Sequence, residues 1–208
     1  MSTPAPDIVA YASLMKEIKL RVEVLTFFRT GKGHALYQPT TAETSYLQIR
    51  KILELIAFGS LAANKDLYSR AYANFASHWH AGRLLRDLEK VNPNFYPKPV
   101  LELPSPDPRA KSQLNDRVGD FLTKAEFEQL YDDCGVIMHA RNPYGQPLDY
   151  VAYGSKLPYW QQRIMNLLNS HQVQLVGHPG FYLIHMKEDQ DDEVHYYEFT
   201  PPAPGTVP

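Results

Sequence analysis

Glu43, Arg50 and Glu54 lie along one line of a segment that is otherwise largely apolar. On an α-helix these positions fall within about 40° of one another. Arg50 and Glu54 are four residues apart and can pair, which matters because an unpaired buried charge is costly. Two interpretations stay open. The pair fixes the helix within a bundle, or the guanidinium of Arg50 points into a cleft, where it would bind phosphate bidentately.

His139 belongs to a second polar cluster. Asp132 and Gly135 precede it by two turns and one turn of the same predicted helix, and Arg141 and Asn142 follow it. Glycine inside a helix costs about 1 kcal/mol relative to alanine, so Gly135 indicates that something approaches closely there. One interpretation is a general acid/base or a phosphate contact. The other is a histidine that bonds local carbonyls while Asn142 caps the helix.

The remaining histidine and cysteine candidates are predicted to have structural roles and not to bind metal or take part in catalysis. His78 and His80 are two positions apart and would point about 160° away from each other on a helix, so they would not chelate one metal. Cys134 lies on the apolar side of its helix and is predicted to pack in the core. No phosphate-binding loop or metal-binding spacing is found, so no metal and no cofactor are predicted.

Two stretches together resemble HEPN-like helical domains, over about residues 8–142. Residues 43–57 (ETSYLQIRKILELIA) resemble the R-x-x-x-E helix of that superfamily. Residues 130–139 (LYDDCGVIMH) are similar to a late helix in which a tyrosine, here Tyr131, precedes a histidine by two turns. The superfamily is a bundle of mostly four or five helices. It contains metal-independent ribonucleases of toxin–antitoxin, CRISPR and phage-defence systems, alongside inactive binding members.

The resemblance implies an endoribonuclease of a bacterial defence or toxin–antitoxin system that binds RNA, with its cleft at a homodimer interface. His139, Arg50, Arg141 and Asn142 are then the catalytic candidates. The substrate-contacting candidates are Glu54 and Tyr131. The alternative is a non-catalytic HEPN-like accessory subunit that acts through a protein partner, using the edge of its sheet or its tyrosine-rich surface.

The spacing of the ribonuclease motif differs from the family pattern. Active members typically carry an arginine four to six residues before the histidine on one helix, and the match in this chain is Arg29 to His34. Two glycines between them predict a loop. An active site at His139 therefore requires that Arg50 come from another helix or from a second subunit.

The elements that would position these residues are mainly helices. Hydrophobic periodicity and capping signals predict helices over residues 8–28, 40–63, 66–90 (broken near Ser77), 123–142 and 158–170. Capping boxes are predicted at Thr40 and Thr123, and the last helix is predicted to start at Pro158. The periodicity then changes to two, which predicts strands over 172–176, 181–187 and 194–199.

The predicted fold class is α+β, mainly α: a helical bundle with a small C-terminal antiparallel β-meander. Residues 1–171 form the bundle, and a proline-rich crossover over 92–113 is expected to be neither helix nor central strand. Residues 172–200 form the meander appended to the bundle, and residues 201–208 a disordered tail.

Composition and charge narrow the classes of protein further. The net charge is −2 over 208 residues, so there is no overall basic footprint for nucleic acid. Residues 1–90 carry 12 basic and 8 acidic side chains, about +4, and the remainder carries 9 and 15, about −6. One cysteine excludes an internal disulfide and favours a cytoplasmic protein. No apolar stretch reaches the roughly 20 residues that a membrane helix needs, so no membrane association is predicted.

Overall fold

The computed structural model describes residues 5–72, 80–110, 112–140 and 142–200. Over these ranges the chain forms six helices and five strands, in the order α1 (Pro6–Arg29), α2 (Gln38–Ala63), α3 (Lys65–Ala71), α4 (Ala81–Val91), β1 (Lys98–Pro104), β2 (Ser112–Asp116), α5 (Lys124–Met138), α6 (Tyr150–Leu168), β3 (Ser170–Val173), β4 (Phe181–His185) and β5 (His195–Phe199). The predicted class, α+β and mainly α, is confirmed. The tail predicted over residues 201–208 lies outside the described residues.

Helix α2 is the centre of the helical layer, because it contacts each of the other helices, and α1 packs along it. Tyr11 and Met15 of α1 are fully buried against α2 at Gly59. A β-carbon at Gly59 would lie 3.1 Å from the Tyr11 ring, which is tighter than an ordinary van der Waals contact. The absence of a side chain at this position therefore sets how closely the two helices approach.

The predicted capping box at Thr40 is wrong, because α2 begins earlier, with Tyr37 as its N-cap residue. Pro39 lies in the first turn, where its missing N–H has no helical partner to lose. The Thr40 hydroxyl instead donates to the backbone carbonyls of Ala35 and Tyr37. By contrast, the capping box of Thr123 and Glu126 is confirmed at the start of α5.

The prediction that the last helix starts at Pro158 is also wrong. Helix α6 begins at Tyr150, is capped by Asp149, and carries Pro158 in its interior. An interior proline costs about 3 kcal/mol. Leu157, Trp160 and Ile164 are buried around it, and each such burial contributes about 1.5–3 kcal/mol, which offsets that cost. The predicted break near Ser77 lies outside the described residues; on either side of it are α3 and α4.

The five strands form one antiparallel sheet in the order β2-β1-β3-β4-β5. The predicted meander is confirmed as β3, β4 and β5. The prediction that residues 92–113 contain no central strand is wrong, because β1 lies between β2 and β3. Proline is tolerated there because β1 pairs with β3 only at Lys98 and Pro99. Beyond that point β1 pairs with β2 alone, so the prolines interrupt few hydrogen bonds.

Helices and sheet share one hydrophobic core. His171 of β3 is fully buried, and its Nε2 lies 2.7 Å from the Tyr11 hydroxyl of α1. Its Nδ1 lies 2.7 Å from the Leu168 carbonyl. Because that carbonyl can only accept, Nδ1 carries the hydrogen and Nε2 accepts from Tyr11. A neutral imidazole thus joins the sheet to α1.

Candidate functional site

An open depression of about 340 Å³ lies where α2, α4 and α5 meet. Its walls come from three elements: Arg50 of α2, His80 just before α4, and five residues from the second half of α5 and its end. Those five are Tyr131, Asp132, Gly135, Val136 and His139. The structure therefore brings together Arg50, Tyr131 and His139, three of the residues that the sequence singles out.

Arg50 is held on several sides. Its Nη2 donates to the Tyr131 hydroxyl at 2.9 Å, and its Nε donates to Glu54 Oε1 at 3.3 Å. The guanidinium carbon lies 4.3 Å from the centroid of the Tyr131 ring, within the range of a cation–π contact. The side chain remains 21% exposed. The Arg50–Glu54 pair predicted from the sequence is confirmed, and the guanidinium it orients also lines the depression.

Glu54 faces cations and lies outside the lining of the depression. Its second carboxylate oxygen lies 2.8 Å from Lys51 Nζ, so two basic side chains share one carboxylate. Glu43, the third member of the predicted line, accepts a hydrogen bond from the Tyr150 hydroxyl at 3.3 Å. Glu54 and Glu43 therefore both make contacts within the fold, to neighbouring basic side chains and to Tyr150. Direct substrate binding by Glu54 stays a prediction.

Tyr131 is 3% exposed. Its pKa is raised, first by desolvation, although Arg50 and a backbone hydrogen bond from Ala81 act in the opposite direction. The phenol is therefore neutral at physiological pH. Its hydroxyl accepts from Arg50 and so fixes the position of the guanidinium. Direct substrate contact by Tyr131 stays a prediction.

His139 is the C-cap of α5, one residue past the last helical turn, with extended backbone angles (φ −84°, ψ 137°). Its side chain is exposed and lines the depression. Asn142 does not reach this site, because its Oδ1 accepts the Tyr144 N–H in an exposed turn. Arg141 lies outside the described residues.

The sequence did not single out His80 as a partner of Arg50 or His139. Its Nδ1 accepts the Arg83 N–H at 3.3 Å and caps α4, and its ring lies 5.2 Å from that of Tyr131. A ring nitrogen that accepts a backbone N–H carries no hydrogen, so the neutral imidazole has its hydrogen on Nε2. The available sequence signal was the predicted break near Ser77, because a side chain close to such a break can cap the helix that follows it.

Cys134 and the Arg29/His34 pair are separate from this site. Cys134 is fully buried, and burial raises the pKa of its thiol, which makes it a core residue as predicted. Arg29 ends α1 and donates to Gln161 at 2.8 Å, while His34 lies in the loop beyond it.

Two further features of the described residues concern metals and membranes. Within the described ranges, no group of three or more His, Cys, Asp or Glu side chains is arranged to hold a metal ion. None of the helices described has the length and apolar character needed to cross a bilayer.

Gly135 offers a test of the packing inside the depression. A β-carbon there would lie 3.6 Å from Arg50 Nη1, an ordinary contact, so Gly135→Ala is expected to raise the free energy of unfolding by about 0.5–1 kcal/mol. Gly135→Leu is expected to lose that gain, because its larger side chain displaces the guanidinium. Urea unfolding measures both variants.

The control for Gly135 is Gly154→Ala in α6, where a β-carbon meets nothing within 4 Å. It is expected to stabilise the protein by a similar amount. Destabilisation by Gly135→Ala alongside a normal gain at Gly154 would contradict the described position of Arg50.

Comparison of the chain with protein-family models, with curated proteins and with solved structures finds no match in any of the three. By fold the chain is a mainly helical α+β protein. The resemblance of residues 43–57 and 130–139 to HEPN-like helices stays a prediction, as does the ribonuclease activity that it implies.

Proposed function

We propose that this protein is a metal-independent endoribonuclease that cleaves RNA in the depression at Arg50 and His139. One observation carries the proposal: Arg50 of α2 and His139 at the end of α5 line the same open depression, together with a second imidazole, His80. This arrangement does not require the two residues to share a helix. The resemblance to defence and toxin–antitoxin ribonucleases supports a role in such a system.

The chemistry needs a base, an acid and a group that stabilises negative charge. The 2′-hydroxyl of RNA attacks the adjacent phosphorus while a base removes its proton, and an acid protonates the departing 5′-oxygen. The products are a 2′,3′-cyclic phosphate and a 5′-hydroxyl. His139 is the candidate base. His80 is the candidate acid in its imidazolium form, with hydrogens on both ring nitrogens, so that loss of the Nε2 proton to the 5′-oxygen leaves a neutral imidazole. The proton on Nδ1 then replaces the hydrogen bond from the Arg83 N–H.

Arg50 supplies the charge stabilisation. Its guanidinium is already fixed by Tyr131 and Glu54, so it needs little reorganisation as charge develops on the phosphorane. Asp132 is the carboxylate in the lining and offsets part of the charge of Arg50. Protonation of either imidazole makes the depression net positive, which favours the phosphate.

The test is cleavage of a single-stranded RNA by the purified protein in the presence of EDTA. Cleavage with a 2′,3′-cyclic phosphate end is expected, and DNA of the same sequence should remain intact because it lacks the 2′-hydroxyl. His139→Ala is expected to lose about a hundredfold or more in rate. His34→Ala, which removes an exposed loop histidine, is the matched control and should keep full activity.

Absence of cleavage by the wild type would reject the proposal. Equal rates for the wild type and a folded His139→Ala variant prepared in the same way would also reject it, since they would point to a contaminating nuclease.

A second candidate function is a non-catalytic subunit that binds a protein partner. The observation that favours it is an exposed apolar stripe on α1. Leu20, Val24 and Phe27 lie on one face at four- and three-residue steps and are 57%, 40% and 48% exposed. If RNA is not cleaved, Leu20→Gln and Val24→Gln should abolish self-association or partner capture that the wild type shows, while His139→Ala should leave it unchanged.

A further inference from the structure

A second and larger cavity, of about 680 Å³, lies near the other end of α4 and α5. Its wall starts at Pro93, two residues after the end of α4, and includes Lys124, the first residue of α5. Lys124 lies 7 to 15 residues before the residues of α5 and its end that line the depression, and an α-helix rises about 1.5 Å per residue, so the two sites are separated by about 10–22 Å along the helix. The cavity is therefore distinct from the depression at Arg50, and its volume falls in the range typical of small-molecule sites.

Aromatic rings form much of the cavity wall. Phe95, Phe121 and Phe181 come from three different parts of the chain. Phe181 is stacked on Phe199 of β5, with centroids 5.1 Å apart and an interplanar angle of 5°. Phe95 is 2% exposed, and its ring lies 5.4 Å from Lys124 Nζ. Phe95 is almost fully buried and backs the wall, whereas Phe121 and Phe181 are half-buried. A planar ligand would therefore meet the exposed parts of the Phe121 and Phe181 rings.

The polar groups of the wall have one sign of charge. Lys98 and Lys124 line the cavity with the carboxamides of Asn94, Gln172 and Gln174, and no Asp or Glu is among the lining residues described. The partners of the two lysines, Asp116 for Lys98 and Glu89 for Lys124, lie outside the lining. Both pairs are solvent-exposed, and exposed ion pairs contribute little stability, so either lysine can turn to an anionic ligand.

We infer that this cavity binds a nucleotide. A planar base would pack on the aromatic wall, the carboxamides would hydrogen-bond to its edge, and Lys98 and Lys124 would contact the phosphate. The same chemistry is present in a free mononucleotide and in one nucleotide of a single RNA strand. The inference does not depend on the ribonuclease proposal, because its residues and its position are separate from Arg50 and His139.

Isothermal titration calorimetry of the full chain with AMP, adenosine and a short oligoadenylate tests the inference. AMP is expected to bind one site per chain, with adenosine at least about tenfold weaker because it lacks the phosphate. Lys98→Gln and Lys124→Gln should each weaken AMP binding by about tenfold. Lys32→Gln, an exposed lysine outside the cavity, is the matched control and should bind as the wild type does.

Gln174→Trp provides a second variant that leaves the core intact, since Gln174 is exposed at the rim. The indole is expected to occupy part of the cavity beside the carboxamides and to weaken AMP binding by about tenfold or more. Tighter binding of the oligoadenylate than of AMP, lost in the same variants, assigns the site to a nucleotide of a strand; equal or weaker binding assigns it to a free nucleotide. The inference would be overturned if neither AMP nor the oligoadenylate bound. It would also be overturned if adenosine bound as tightly as AMP, or if the variants bound AMP as tightly as the wild type does. His139→Ala should bind normally, whatever its ribonuclease activity.

Discussion

Replacing Arg50 with lysine is expected to lower RNA cleavage by about a hundredfold, although the positive charge is retained. The guanidinium donates to Tyr131 and Glu54 from two different nitrogens, and a single ammonium cannot reproduce that planar geometry. The ammonium group of the introduced lysine would stay paired with Glu54 and would no longer line the depression. Arg50→Ala should lose still more activity, and rates under single-turnover conditions would measure both losses.

Arg21 is the matched control. It is also a partly buried arginine, 28% exposed, with an ion-pair partner four residues away, Glu17 at 2.6 Å. Arg21→Lys is expected to keep full activity and similar stability. Equal losses of activity in the two variants would show that arginine packing, and not the depression, controls the rate.

The Arg50→Ala and His139→Ala double variant sharpens the same prediction. Groups that act together on one reaction are strongly non-additive, so the double variant should be little worse than the slower single variant. A rate loss in the double variant equal to the product of the two single-variant losses would contradict a shared site. Circular dichroism and urea unfolding establish that each variant is folded, since loss of the Arg50 bonds is itself expected to cost about 1–2 kcal/mol.

Acidification is expected to destabilise the protein through His171. Burial lowers the pKa of this imidazole from 6.5 to about 4, whereas in the unfolded chain it titrates near its ordinary value. Between about pH 6.5 and 4 the unfolded chain therefore binds a proton that the folded protein does not. Stability is fully present above that window and falls as the pH decreases through it, by about 3 kcal/mol in total.

His171→Gln isolates this contribution. The introduced carboxamide would accept from Tyr11 and donate to the Leu168 carbonyl, as the imidazole does, but it does not titrate. Urea unfolding at about pH 7.5 and about pH 5 should show a drop of about 2 kcal/mol in the wild type that largely disappears in the variant. His34→Gln, which replaces an exposed histidine, should keep the drop. An unchanged drop in His171→Gln would contradict a buried neutral imidazole.

Features that depend on residues close together in the sequence were predicted correctly in most cases. The Arg50–Glu54 pair follows from the four-residue spacing of a helix, and the burial of Cys134 follows from the apolar periodicity of α5. The same capping-box motif succeeded at Thr123 and failed at Thr40, because Pro39 can occupy a first helical turn and so extends α2. A four-residue motif does not contain that information.

The features that were missed depend on contacts between distant parts of the chain. His171 meets Tyr11 across 160 positions, and no pattern near either residue indicates the partner. His80 faces Arg50 and Tyr131 only because α4 packs beside α2 and α5. Strands β1 and β2 lie in a proline-rich segment whose pairing is tolerated because each residue of β1 is paired on one side alone, with β3 at Lys98 and Pro99 and with β2 from Val100 onward.

The cap that His80 provides to α4 makes one backbone amide a reporter on the candidate site. The imidazole that lines the depression also accepts the Arg83 N–H, so any occupant or proton that takes Nδ1 removes a helix cap worth about 1 kcal/mol. Hydrogen exchange at the Arg83 amide should then accelerate by about fivefold while deeper amides of α4 stay protected. Protonation or ligation of His80 at Nδ1 could thus be followed in solution from one exchange rate, without knowledge of the substrate and without turnover.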